Sequence, residues 1–136
     1  MSNSQRLRTN FRKRGALGEE LAARFLEQNG IRILERNFRS GRSGEIDLVC
    51  EDNGSLVFVE VKLRRKPGSG DPEEAVTESK QRRICHTADY YRCRYRVDDA
   101  TPIRFDVVAI RLEEGGARMH WIRNAFLYHP SGRSYH

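Results

Sequence analysis

The stretch from Gly44 to Lys62, G-E-I-D-L-V-C-E-D-N-G-S-L-V-F-V-E-V-K, decides the fold that we predict for this chain. It contains two apolar runs, Ile46–Cys50 and Leu56–Leu63, which flank the dipeptide Asn53-Gly54. Asn-Gly between two such runs is the strongest short-range signal for a two-residue hairpin turn. We therefore predict an antiparallel hairpin with Asn53 and Gly54 as its turn residues.

This register predicts a charged end of the hairpin, far from its turn. Asp47 lies opposite Glu60 and Glu45 lies opposite Lys62, all on one face, because strand side chains alternate between faces. Directly opposed Cβ atoms are only about 5 Å apart. Two carboxylates at that separation on otherwise apolar strands repel each other and lose hydration. A divalent cation between Asp47 and Glu60 would remove both penalties.

The other face of the hairpin is predicted to be apolar throughout. Its members are Ile46, Leu48 and Cys50 on the first strand and Val57, Val59 and Val61 on the second. Strands that are apolar on both faces near the turn require cover on both sides. The charged end is therefore expected at an open edge of the sheet.

The remaining elements follow from periodicity, capping residues and β-branched content. We predict helices over 15–29 and from Asp71 to about Tyr91 (the second interrupted near Thr77), and strands over 31–39, 103–112 and 118–123. This order predicts an α/β fold with a mixed central sheet of about five strands flanked by helices. The domain is expected over 15–126, with a basic flexible arm over 1–14 and a loose tail over 127–136.

Composition narrows the class of protein. The 136 residues are 38% hydrophobic and 32% charged, which suits one globular domain with a core of its own. No run approaches the ~18 apolar residues of a membrane span, and no apolar segment typical of a signal peptide follows the basic N-terminus. The three cysteines lack CxxC spacing. We therefore predict a cytoplasmic protein that does not associate with membranes.

Net charge points to a partner. The chain has 25 Lys and Arg residues and 19 acidic residues, so its net charge is +6. Arginine-rich surfaces bind polyphosphates well because binding releases counterions and because arginine forms bidentate hydrogen bonds with phosphate. An ordinary charged surface is the alternative. The residues that we expect to contact nucleic acid are Arg39, Arg42, Arg64, Arg65, Lys66, Lys80 and Arg83.

The charged end of the hairpin carries the chemistry. Asp47, Glu60 and the backbone carbonyl of Val61 offer oxygen ligands suited to Mg²⁺ or Mn²⁺. Lys62 would then orient a metal-bound water and help to deprotonate it. Glu45 would hold the Lys62 ammonium or form a structural ion pair with it. The alternative for Asp47 and Glu60 is a structural role with an arginine as counter-charge.

Each predicted helix contributes one residue to the region of this site. Glu19 is the carboxylate of the first helix that lies at the edge of its apolar stripe, so it is able to reach over the sheet; a solvated first-turn glutamate is the alternative. The neighbouring Gly18 falls within the stripe and permits close approach to the sheet. On the second helix, Gln81 falls on the buried stripe and is predicted to face inward.

Several motifs together resemble a known family. They are G-A-L-G-E-E-L-A (15–22), I-L-E-R-N-F-R (33–39), G-E-I-D-L-V (44–49), L-V-F-V-E-V-K-L-R (56–64), K-Q-R-R-I (80–84) and F-D-V-V-A-I (105–110). They look like the YraN family of endonuclease-like bacterial proteins. More broadly, the hairpin and the helix before it resemble the PD-(D/E)xK nuclease superfamily, including the archaeal Holliday-junction resolvases, although Ile46 stands where the superfamily name has Pro.

The resemblance implies a function. It implies a restriction-endonuclease-like core in which Asp47, Glu60, Lys62 and the helical Glu19 are catalytic and Gln81 is supporting. The implied activity is Mg²⁺- or Mn²⁺-dependent hydrolysis of phosphodiester bonds in DNA, branched or damaged DNA in particular. By analogy with the resolvases it also implies a homodimer. The alternative is a non-catalytic nucleic-acid-binding module on the same fold.

Overall fold

A five-stranded mixed sheet lies between two helices. The computed structural model describes residues 3–41, 44–64 and 76–130, with side chains from residue 15 onward. The elements are α1 (Asn3–Gln28), β1 (Arg32–Arg39), β2 (Glu45–Asp52), β3 (Ser55–Arg64), α2 (Glu78–Arg94), β4 (Ile103–Glu113) and β5 (Gly116–Ile122). The strands lie in chain order; β3 and β4 are parallel, and every other neighbouring pair is antiparallel. The predicted fold class is confirmed.

The central hairpin has the predicted turn and register. Asn53 and Gly54 have positive φ angles of 48° and 88°, as the tightest hairpin turns require at both central residues. Leu48 pairs with Val59 and Cys50 pairs with Val57, so the hairpin ladder is the one expected from the Asn-Gly signal.

Each helix covers one face of the sheet. The α1-side core joins Ala22, Ala23 and Leu26 to Leu48, Cys50, Val57, Val59, Val108 and Ile110. The α2-side core joins Ile84, Cys85, Ala88 and Tyr91 to Phe38, Ile46, Val49, Phe58, Phe105, Val107 and Phe126. Because alternate residues of β3 and β4 enter the two cores, the two helices lie on opposite faces.

A buried polar network joins the strands at the turn end of the hairpin. Asp106, only 1% exposed, accepts hydrogen bonds from Arg104 at 2.9 Å, from the Trp121 indole at 3.0 Å and from the backbone of Asn124 at 3.0 Å. Arg104 also donates to Asp52 at 3.0 Å. The carboxylate is thus compensated within β4 and its neighbours, as a buried charge must be.

Both ends of the chain differ from the prediction. Helix α1 begins at Asn3 instead of near Gly15, so the expected arm is helical from there onward. The segment lacks an apolar stripe, yet it is rich in Arg, Gln, Leu and Lys, which have high helix propensity and extend an existing helix readily. At the other end, the Tyr128 hydroxyl donates to Asp89 at 2.8 Å and the His129 N–H donates to the Cys85 sulfur at 3.4 Å. The expectation of a loose tail is therefore wrong for Tyr128 and His129, and 131–136 lie outside the described residues.

The second helix begins later than the first acidic signal suggests. Helix α2 starts at Glu78, with the Thr77 side chain accepting the Lys80 N–H at 3.3 Å as its N-cap. The start predicted at Asp71 lies outside the described residues. Within the part of the chain that the structure describes, no helix is long and apolar enough to cross a bilayer.

Candidate metal and nucleic-acid site

The side chains of β2 stop alternating regularly between the two faces of the sheet at Asp47. Ile46 packs in the α2-side core, whereas Leu48 packs in the α1-side core. The prediction that Ile46 and Leu48 share one apolar face is therefore wrong. The regular alternation of a strand is interrupted between them, at the position of the predicted metal ligand Asp47.

An unusual backbone conformation lies opposite Asp47 on the neighbouring strand. Asn37 of β1 has a positive φ of 53°, and the pairs on either side of it, Arg36 with Leu48 and Phe38 with Ile46, place it opposite Asp47. Asparagine tolerates this left-handed conformation better than most residues. Beside this left-handed residue Phe38 and Ile46 both enter the α2-side core, whereas Asp47 lies close to Glu19 of α1.

Three carboxylates converge at this point. One oxygen each from Glu19 of α1 and from Glu45 and Asp47 of β2 lie within 4.8 Å of one another; we call these three residues the acidic cluster. Glu19 and Asp47 are half-buried, and the Glu45 side chain is 35% exposed and lies 3.5 Å from Arg39. Glu19 therefore reaches over the sheet, as its place at the edge of the apolar stripe predicts.

Asp47 carries a strongly perturbed carboxyl group. Burial raises the pKa of Asp47 to about 7, and repulsion from Glu60, Glu19 and Glu45 acts in the same direction. The backbone N–H of Val61 donates to Asp47 Oδ2 at 2.8 Å, which opposes part of this increase. The direction of this shift indicates that nearby cations and hydrogen-bond donors do not fully compensate the negative charge of the acidic cluster.

Glu60 is turned toward the other helix. Glu60 is only 8% exposed. Its Oε1 atom lies 2.6 Å from the ammonium group of Lys80 on α2. The hairpin ladder ends at the pair of Leu48 and Val59, so Asp47 and Glu60 lie just beyond it, where Asp47 turns to α1 and Glu60 to α2. The four charged residues therefore do not share the single flat face that the sequence predicted.

Lys62 and Val61 continue β3 past this point. Lys62 is half-buried and pairs in register with Ala109 of β4. By alternation it lies on the same face as Glu60. The N–H of Val61 points at Asp47, and the C=O of a strand residue points to the same side as its N–H. The predicted carbonyl ligand thus faces the acidic cluster.

Two hollows beside Glu45 each include basic residues in their lining. One of about 450 Å³ is lined by Arg39, Gly41, Gly44 and Glu45. The other, of about 240 Å³, is lined by Gly44, Glu45, Lys80, Arg83 and Ile84. Three predicted nucleic-acid contacts, Arg39, Lys80 and Arg83, thus border the site. Arg64 is the last residue of β3, two residues past Lys62, and does not line either hollow. Arg42, Arg65 and Lys66 lie outside the described residues.

Gly44 brings the loop before β2 against α2. A Cβ atom built on Gly44 would lie 2.8 Å from Oγ1 of Thr87, a residue that is completely buried. The Thr87 hydroxyl donates to the Arg83 carbonyl at 2.9 Å. Thr87 is a positioning residue that the sequence analysis did not single out, because nothing local indicates that a loop so distant along the chain packs on it.

Gln81 is half-buried as predicted, but its hydrogen bonds are made away from the acidic cluster. Its amide donates to the Val76 carbonyl at 2.7 Å, and its Oε1 lies 2.7 Å from Nε2 of His129. The sequence assigns His129 to a loose tail and gives no sign of this contact. On α1, an added Cβ at Gly18 would lie 3.7 Å from the Leu63 Cβ, an ordinary contact, so the helix does not depend on the missing side chain for its approach.

These features define a class: an α/β protein with converging carboxylates at the edge of a mixed sheet, bordered by hollows with basic residues in their lining. Comparison with known proteins identifies the family. The model of the uncharacterised protein family UPF0102 matches residues 18–110, and the chain belongs to that family, in agreement with the resemblance found in its motifs.

Relatives match over most of the chain. A UPF0102 protein of Lachnoclostridium phytofermentans is 49% identical over 117 residues, covering 86% of this chain and 95% of the relative. One of Pelobacter propionicus is 48% identical over 128 residues, covering 92% and 90%. One of Rhodococcus opacus is 49% identical over 113 residues, covering 82% and 94%.

Proposed function

We propose that this protein is a divalent-metal-dependent DNA endonuclease that hydrolyses phosphodiester bonds. The observation that carries the proposal is the acidic cluster, in which oxygens of Glu19, Glu45 and Asp47 lie within 4.8 Å of one another. Such crowding is unfavourable without a cation. The cluster also lies beside two hollows whose linings include Arg39, Lys80 and Arg83, where a phosphodiester would be bound.

The donor set suits Mg²⁺ or Mn²⁺. Both cations prefer carboxylate and carbonyl oxygens, and the acidic cluster supplies only these. We propose Asp47, Glu19 and Glu45 as ligands, together with the Val61 carbonyl that faces them. Glu60, the other ligand that the sequence predicts, would join them on leaving its ion pair with Lys80. Bound there, the metal would polarise the phosphate and lower the pKa of a water molecule.

The surrounding cations have separate roles. Lys62, on the face of Glu60, orients the attacking water and accepts or relays its proton. Lys80 holds the buried Glu60 carboxylate at 2.6 Å until substrate arrives, and its long flexible side chain then turns to the phosphate. Arg39 and Arg83 line the two hollows and bind the flanking backbone through paired hydrogen bonds.

The likeness to the PD-(D/E)xK superfamily supports the same reaction. In that superfamily the equivalents of Asp47, Glu60 and Lys62 are catalytic, and in the resolvases a helical glutamate matches Glu19. By the same analogy we propose branched or damaged DNA as the substrate and a homodimer as the active species. From the cysteine pattern we propose the cytoplasm as its location.

A cleavage assay tests the proposal. Junction, flap, duplex and single-stranded DNA are incubated with Mg²⁺ or Mn²⁺ and with the wild type, Asp47→Ala or Glu20→Ala. Glu20 is the matched control because it is the next residue after Glu19 on α1 and pairs with Arg24 and Arg36 instead. We expect cleavage to be lost in Asp47→Ala and kept in Glu20→Ala. Equal cleavage by both variants would assign the activity to a contaminant.

The second candidate is a nucleic-acid-binding module without catalysis. The ion pair between Glu60 and Lys80 favours it, because it compensates one of the predicted ligands within the protein. This function predicts salt-sensitive DNA binding, no cleavage and no rise of the melting temperature with Mn²⁺. A Mn²⁺-dependent rise that disappears in Glu60→Ala would exclude it.

A further inference from the structure

Three arginines lie side by side across the sheet, away from the acidic cluster. Arg64 of β3 pairs in register with Arg111 of β4, which pairs in register with Arg118 of β5. Neighbouring strands are about 4.8 Å apart. An anion that lies over these three residues, which we call the arginine row, would therefore be within reach of more than one guanidinium group.

A pocket of about 260 Å³ opens on the arginine row. Its lining includes all three arginines together with Ala109 and His120. Ala109 pairs in register with Lys62 on one side and with His120 on the other. Ala109 forms the floor of the pocket. Because its side chain is smaller than those of Lys62 and His120 on either side, it leaves an open space above the sheet.

The arginine row and Lys62 share one face of the sheet. Val108 and Ile110 belong to the α1-side core, so Ala109 and Arg111, which alternate with them, face the α2 side. Arg64 follows Lys62 by two residues on β3, which places their Cα atoms about 6.6 Å apart. A strand of nucleic acid that lies across Lys62 would therefore continue over the arginine row.

We propose that this pocket binds a backbone phosphate of a nucleic-acid strand, adjacent to the phosphate that lies at Lys62. Its place next to the cleaved bond rests on the proposed function, whereas phosphate binding by the pocket does not require cleavage. A guanidinium group donates two parallel hydrogen bonds to two oxygens of one phosphate. Arg64 and Arg111 are half-buried, and the lower dielectric constant there strengthens their attraction for an anion. Glu113 lies 3.4 Å from Arg118 and competes for that guanidinium.

Binding without metal tests the proposal. The affinity of a fluorescent single-stranded oligonucleotide with hydroxyl ends is measured by anisotropy in EDTA over a range of salt concentrations. The double variant Arg111→Gln/Arg118→Gln should bind at least about fivefold more weakly, and its salt slope should shrink by about 0.7 for each phosphate that the protein no longer neutralises.

The control that is matched to the single variant Arg118→Gln is Arg32→Gln, at the opposite edge of the sheet. The Arg32 side chain is 76% exposed and lies 3.5 Å from Glu51, and the Arg118 side chain is 72% exposed and lies 3.4 Å from Glu113. Arg32→Gln should leave affinity and slope nearly unchanged. If the double variant behaves like Arg32→Gln, or loses affinity only for an oligonucleotide with a terminal phosphate, the proposal is wrong.

A variant that is expected to tighten binding tests whether unfolding explains the weaker binding of the double variant. Glu113→Gln removes the carboxylate that competes for Arg118, so it should tighten binding by about two- to fivefold, the range expected for an exposed ion pair. Unchanged or weaker binding would count against the pocket. Because these measurements are made in EDTA, a failure of the nuclease proposal in the cleavage assay would leave them unaffected.

Discussion

Asp47→Asn should make the metal-free protein more stable near neutral pH. The carboxyl group of Asp47 has a pKa of about 7 in the folded protein, above its ordinary value of 3.8. Between these values the folded protein keeps a proton that the unfolded chain has released, so the free energy of unfolding falls as the pH rises through this window. Asparagine has no proton to lose and still offers an oxygen to the Val61 N–H. The variant should therefore lack this part of the pH dependence.

The magnitude follows from the difference between the two pKa values. Each pKa unit corresponds to about 1.4 kcal/mol, so the full difference amounts to at most about 4 kcal/mol. Relaxation around a half-buried group reduces this figure, and we expect the stability of Asp47→Asn relative to wild type to increase by about 2–4 kcal/mol between about pH 4 and pH 8.

Urea unfolding in EDTA at several pH values measures the effect. Glu20→Gln is the control because hydrogen bonds from Arg36 and Arg24 lower the pKa of Glu20. Its contribution to stability is present above its ordinary pKa and is lost as the pH falls, so Glu20→Gln should destabilise the protein near neutral pH. If the stability difference between Asp47→Asn and wild type were the same at low and neutral pH, Asp47 would not carry the uncompensated charge that the metal proposal requires.

Three further substitutions test the packing around the site. Gly44→Ala should cost about 1–3 kcal/mol in urea unfolding because its methyl group would lie 2.8 Å from the Thr87 hydroxyl; if adding Thr87→Ala restores none of the loss, the clash is not its cause. Gly18→Ala should raise the melting temperature, since alanine gains up to about 1 kcal/mol of helix propensity and the methyl group has room; a lower melting temperature would contradict this. Tyr128→Phe removes hydrogen bonds of 2.8 and 2.9 Å to Asp89 and should cost about 1.5–3 kcal/mol; a neutral effect would show that the tail is not held by this contact.

Much of the fold can be predicted from sequence because its signals are local. The signals for the Asn53-Gly54 turn, for the alternating runs around it and for the apolar stripe of α2 each lie within a few residues. The structure contains all three, except that the alternation of β2 is interrupted at Asp47. The start of α1 is not predictable in this way because it has no such local signal. Its first turns lack an apolar stripe, so the periodicity gives no signal for them, although residues of high helix propensity extend an existing helix readily.

The candidate site can be predicted only in part. Asp47, Glu45 and Glu19 stand out in the sequence because carboxylates on or beside apolar elements are costly, and the structure brings these three together. The direction of Asp47 cannot be read from sequence, since the alternation of β2 is interrupted there, opposite the left-handed Asn37 of a different strand. The partners of Glu60 and Gln81, Lys80 and His129, give no local signal because long stretches of chain separate each pair.

The sequence by itself determined the hairpin, the class of fold and the carboxylates available to bind a cation. These depend on turn chemistry, on the period of apolar residues and on the cost of placing charge between apolar strands. Only the tertiary structure decided which carboxylates meet, and that Arg64, Arg111 and Arg118 stand in one row. The segment that contains α2 connects β3 to β4 and allows them to pair in parallel. No local pattern in either strand specifies the register of that pairing.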